Sequence, residues 1–285
     1  MMRDAFRHEL KKMLASRNWR LTLLLGAVIV IVHFIVIAVY VNEMYYISVP
    51  TSSHPVGLSN ISLLFCFMPA DGMTTTARLF YIVMPVLAAF PFGASLYTER
   101  RNGYHRQVLP RIGKKLYLTA KFLVCALSGF MTVFILLTLD VMLCATVCPL
   151  VKISIIDLLS FVGQGSFASS LYYNYPALYI IACVLMSSVW GAVCAVTALS
   201  SSMFLSNSFL ITIFPGMLMM ILEVALTEAR AMFFKNFWYE VGPISLMTAE
   251  PGHANPSWVI LLWQCFYTLL AAAVYMGKGM RRENL

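Results

Sequence analysis

From Ala177 to Leu222 the chain carries no charged residue, and the apolar stretch continues past Glu223 to Thr227. At about 1.5 Å per residue, a single helix over that stretch would reach about 76 Å, against a hydrocarbon core of about 30 Å. The stretch must therefore double back as two membrane-crossing helices. Its turn is expected among Ser200, Ser201, Ser202, Ser206, Asn207 and Ser208, the polar cluster in its middle.

Four more apolar runs long enough to cross accompany this hairpin. The expected spans are Leu21 to Val41, Leu79 to Tyr97, Leu118 to Cys148, Ala177 to Phe204, Ser208 to Thr227 and Ser257 to Gly277. With 60% hydrophobic and 11% charged residues and a mean hydropathy of +0.80, residues 1–285 leave no room for a separate soluble domain. The expectation is one all-α integral membrane domain of six transmembrane helices. The first run is read as a span and not a cleaved signal, because its apolar core exceeds about 15 residues and no A-x-A-like site follows.

The net charge of +8 suggests nucleic-acid binding only if the charges form a patch, and here they flank the apolar runs. Lysine and arginine are retained on the cytoplasmic side, so their distribution sets orientation. With both ends inside, sixteen basic residues fall on the cytoplasmic side and four outside: Arg78, Lys152, Arg230 and Lys235. The matching basic ends require an even number of crossings. Both termini in the cytoplasm of a plasma-membrane protein is the expected topology.

Two cytoplasmic segments show order beyond charge. Residues 2–17 place Met2, Phe6, Leu10, Met13 and Leu14 at helical spacing, with Arg3, Arg7, Lys11 and Lys12 largely elsewhere, which predicts an amphipathic helix lying in the plane of the inner leaflet. The loop 98–115, TERRNGYHRQVLPRIGKK, opens on a capping Thr98 and acidic Glu99. It aligns Tyr104, Val108 and Leu109 as an apolar face, and then meets Pro110, expected to end the helix.

Around Glu99 to Lys121 the chain resembles the six-span permease subunits of type-2 ABC exporters, notably small bacterial ones that handle peptides and antibiotics. The resemblance rests on an acidic residue closing the second span, Gly103, the apolar pair before Pro110, the basic cluster, Tyr117 and Lys121. It implies a coupling loop that docks on an ATPase subunit, with Glu99, Gly103, Tyr104, Val108 and Leu109 as coupling residues. It also implies two soluble ATP-binding subunits as partners, carrying the ATP and magnesium, and a second permease copy or paralogue beside membrane lipid.

The chain contains no G-x-x-x-x-G-K-[ST] phosphate loop, so it is not expected to hydrolyse ATP itself. No H-E-x-x-H or Cys-x-x-Cys motif occurs, and His8, His33, His54, His105 and His253 are scattered. No metal site or catalytic set is therefore expected. Seven cysteines, mostly in apolar runs, read as packing residues, with one bridge involving Cys66 left open.

His33, Asp140 and Glu223 are ionisable residues in or at the edges of spans, where a charge costs on the order of 2.5–3.5 kcal/mol. Asp140 and Glu223 are candidates for a substrate pathway favouring cationic or amphipathic cargo, or else for pairs that hold helices together. Ser187, Gly191 and Ala195 form a small-residue stripe suited to close packing, and 228–256 reads as an outer segment able to re-enter the membrane. The alternative to an ATP-driven exporter is a stand-alone proton-coupled carrier or a membrane immunity protein.

Overall fold

A backbone in hydrocarbon must satisfy its own hydrogen bonds, and the apolar runs do so as helices. The computed structural model describes residues 2–48, 62–72, 74–151, 165–233, 241–249 and 256–281, and among them every regular element is helical. In chain order these are α1 (Met2–Ala15), α2 (Arg17–Ser48), α3 (Leu63–Cys66), α4 (Thr75–Ala89), α5 (Ser95–Arg101) and α6 (Tyr104–Ile112). They are followed by α7 (Lys114–Cys144), α8 (Ser169–Asn174), α9 (Pro176–Ser201), α10 (Ser208–Phe233) and α11 (Ser257–Arg281).

Five helices, α2, α7, α9, α10 and α11, are long and apolar enough to cross a membrane, which makes this a multi-pass transmembrane chain. The hairpin turn falls between Ser201 and Ser208, as the polar cluster predicts. Asn207 closes it by accepting the Phe209 amide through its side chain at 2.9 Å.

The run Leu79 to Tyr97 departs from the expected continuous span. Its helix α4 has 15 residues, about 22 Å and short of the core thickness, before turns over 90–94 lead into the seven-residue α5. Pro91 explains the break, because its ring removes a donor and clashes with the preceding turn. Gly93 sits against α9, where a Cβ would stand 2.8 Å from that of Ala198. Among the described residues, five helices are long enough to cross, and α4 is a shorter apolar helix beside them.

α9 is the axis of the bundle, touching α4, α7, α10 and α11. It meets α7 most closely at Gly129, where a Cβ would lie 2.3 Å from the Gly191 carbonyl oxygen and 2.6 Å from Ala195 Cβ. The small-residue stripe thus packs within the subunit. The outer helices keep apolar surface exposed: Leu24, Val28, Ile31, Ile35 and Val39 of α2 lie exposed along one side.

α1 does not simply lie on lipid. Its buried face, Ala5, Glu9 and Met13 with Phe6 and Leu10 beside them, rests on α7 near Tyr117 and Val124, whereas Leu14 is exposed. The expected face therefore holds at Phe6, Leu10 and Met13, and gains a buried carboxylate, Glu9.

At the end opposite the basic loop, 241–249 enters the bundle without helical structure. Its carbonyls find donors on α9. Trp190 Nε1 donates to Leu246 at 3.0 Å, Ser187 Oγ to Met247 at 2.9 Å and Tyr179 OH to Ala249 at 3.3 Å. Irregular backbone at depth is tolerated where protein satisfies it. Of the expected outer segment 228–256, this portion packs against α9, while Phe234, Phe237, Trp238 and Tyr239 lie outside the described residues.

Candidate functional site

At the basic end, two glycines set the path of the chain. Gly103 (φ 69°) joins α5 to α6 and Gly113 (φ 85°) joins α6 to α7, both in the left-handed region where a Cβ is strained although space is open around each. α6 is thus a short helix held between two glycine joints. Contrary to expectation, Pro110 lies inside it and the helix ends at Gly113. Pro110 is exposed, so the carbonyl that loses its donor can turn to solvent.

Beneath α6 lies a buried set of charges from three elements. The Glu99 carboxylate of α5 accepts from Lys12 of α1 and from both Lys121 and the Tyr117 hydroxyl of α7. Lys121 also donates to Glu9 at 3.4 Å, and Lys121, Glu99 and Glu9 are all buried. Two carboxylates meet two ammonium groups, which leaves the set neutral. Burial opposes ionisation of Glu99, but the Lys121 charge and the hydrogen bonds from Lys12, Lys121 and Tyr117 outweigh it and hold the carboxyl below its usual range. The Lys12 ammonium also sits 4.6 Å from the centre of the Tyr104 ring.

Between α1 and α6 lies a cavity of about 250 Å³ lined by His8, Glu9, Tyr104, Gln107, Val108 and Tyr117. A wider depression of about 600 Å³ adjoins it over Lys12, Asn102 and Gln107.

Of the five coupling candidates, Glu99 is buried in the charge set, Gly103 is a joint, and Tyr104 lies under Lys12 at the groove. Val108 and Leu109 are half-buried against the cluster that contains Met13, Leu96 and Tyr117. All five are gathered at one place. The sequence does not single out Glu9, places Lys12 among the basic residues of the amphipathic helix, and marks Lys121 only through the resemblance. An acidic residue on the apolar side of α1 was the one available signal.

The two pathway candidates belong to separate networks. Glu223 accepts from the Ile244 and Ser245 amides at 2.7 and 3.2 Å and from the Ser245 hydroxyl, so it caps the turn of the re-entering segment. Asp140 is fully buried. Its Oδ2 accepts the Met68 amide at 2.8 Å and its Oδ1 faces His33 Nδ1 at 2.7 Å. The other His33 nitrogen, Nε2, faces Asp71 Oδ2 at 3.1 Å, and Asp71 in turn accepts from Thr74. Asp140 thus links α7 to His33 of α2, whereas Glu223 links α10 to the turn at 244–245.

The Cys144 thiol, one turn after Asp140, donates to the Cys66 carbonyl at 3.2 Å. The seven cysteines are all free thiols. His33 of α2 and the neighbouring Asp140 and Cys144 of α7 therefore bring ligand-type atoms within 4.8 Å of one another. Scattered histidines had suggested no such set, and Asp71 was not singled out.

The chain matches no known protein family and no curated protein sequence.

Proposed function

We propose that the chain is the permease subunit of an ATP-driven exporter of the type-2 ABC kind, with ATP hydrolysed by a separate soluble subunit. The observation that carries the reading is α6: an amphipathic helix between two glycine joints, beside a groove, with its Tyr104 under Lys12 and next to the charge set through which Glu99 of α5 ties α1 to α7. A partner pressing on α6 and α1 would move the Glu99 to Lys121 contact, and with it the long helix α7. The absence of a phosphate loop puts the energy source on that partner.

In this reading α4 with its continuation completes six crossings, both termini face the cytoplasm of a bacterial plasma membrane, and two permeases, identical or paralogous, bind two ATPase subunits. The cargo is a hydrophobic or amphipathic peptide, antibiotic or toxin. Alternate closure of the ATPase pair would open the permease interface on one side at a time.

Isolation of the protein from native membranes tests the assembly. A soluble chain with a Walker motif is expected to come with it, and Tyr104→Ala, Val108→Ala and Leu109→Ala are expected to separate ATP hydrolysis from transport without loss of membrane insertion. Coupled activity unchanged in all three variants would reduce α6 to a topogenic loop.

A further inference from the structure

The buried group at the far end of α2 and α7 has the chemistry of a cation site. His33 (α2), Asp140 and Cys144 (both α7) supply one nitrogen, one oxygen and one sulfur within 4.8 Å of one another, and all three residues are buried. Asp140 and Cys144 are spaced four apart, which puts both on one helix face, and their Oδ1 and Sγ atoms are 3.9 Å apart. His33 Nδ1 lies 2.7 Å from the same Oδ1. Ligand atoms around a tetrahedral zinc are about 3.2–3.8 Å from one another, so small side-chain adjustments bring the three into coordination.

The surroundings are those of a supported site. Asp71 accepts from His33 Nε2, the carboxylate partner that fixes which ring nitrogen points at a metal. The free oxygen of Asp140 is tied to the Met68 amide.

Both ring nitrogens of His33 face carboxylate oxygens, so the pocket gathers imidazole, carboxylate and thiol groups of the kinds that bind divalent ions. Thiolate and imidazole together select zinc over magnesium or calcium.

We propose that His33, Asp140 and Cys144 form a binding site for a zinc-like divalent cation, oriented by Asp71, which clamps α2 to α7. It is independent of the exporter reading. The test uses the purified full-length protein in detergent, stripped with chelator and reloaded with Zn²⁺ or Co²⁺. About one zinc per chain is expected, with a cobalt–thiolate charge-transfer band in the near ultraviolet. Cys144→Ser and His33→Ala should lower bound metal at least tenfold. Asp71→Asn should retain the site with about ten- to a hundredfold weaker affinity. Cys265→Ser, which removes the exposed thiol of α11, should leave both readings unchanged. A wild-type protein that shows no cobalt–thiolate band and only trace zinc overturns the proposal, as does a Cys144→Ser variant that binds metal like wild type. Because the wild-type spectrum decides by itself, variants that fail to fold do not blunt the test.

Discussion

Lys121 shows how much one side chain can decide at the basic end. It is fully buried, yet its ammonium reaches Glu99, Glu9 and the Tyr117 hydroxyl while lying 5.4 Å from the Phe92 ring centre. Removal of one partner from a buried ion pair strands the other, at a cost of about 3–5 kcal/mol, whereas a half-exposed partner contributes about 1 kcal/mol or less. Lys121→Met is therefore expected to lower the melting temperature in detergent strongly and Lys12→Ala only slightly. Equal effects would contradict the burial difference. Glu99 adds a pH signature. Its carboxyl is held below the ordinary range in the folded protein, so its stabilisation is present above the unfolded value and is lost as pH falls through the folded one. Wild type should lose stability on the acid side of the usual glutamate range, and Glu99→Gln should show a smaller loss there. In the sequence Lys121 stands out only through the resemblance, as the basic residue opening the third span. Its burial depends on α1 folding back onto α7, which no local pattern announces.

The element that carries the proposed function is α6, and its joints are more telling than its amphipathic face. Gly113 combines φ 85° with ψ 142°, a region open in practice to glycine alone, where other residues cost about 1–3 kcal/mol. Gly113→Ala should disturb the α6 to α7 joint, and Gly103→Asn, at φ 69°, should be better tolerated because asparagine visits the left-handed region. Thermal unfolding together with coupled ATPase activity measures both, and an order in which Gly103→Asn is the more damaging would argue against the hinge. The loop residues Glu99, Gly103, Tyr104, Val108 and Leu109 are legible as a group because helical spacing, a glycine and a proline lie within one short stretch. The end point at Gly113 is not. Proline weighs against helix locally, and solvent exposure of Pro110 lets the helix continue.

For the whole molecule, the placement of the intramembrane carboxylates separates the two energy sources. Glu223 caps the turn at 244–245 and Asp140 is engaged by His33 and the Met68 amide, so each carboxylate has partners within the protein. Transport in reconstituted vesicles is accordingly expected to stop when ATP is withdrawn and to persist when the proton gradient is collapsed. The opposite result would assign the protein to the proton-coupled carriers. Sequence alone determined the membrane-spanning class, the hairpin of α9 and α10 and the positions of the long helices, because hydrophobic length and charge distribution are local quantities that a bilayer reads directly. It also placed α1 and α6, whose amphipathic spacing repeats over a few turns. Tertiary structure alone decided that Glu9, Lys12, Glu99 and Lys121 form one charge set. Likewise, only the fold joined His33, Asp71, Asp140 and Cys144 across α2, α4's approach and α7. Such contacts link residues from distant segments of the chain, and their energy comes from mutual burial, which exists only after the helices have packed.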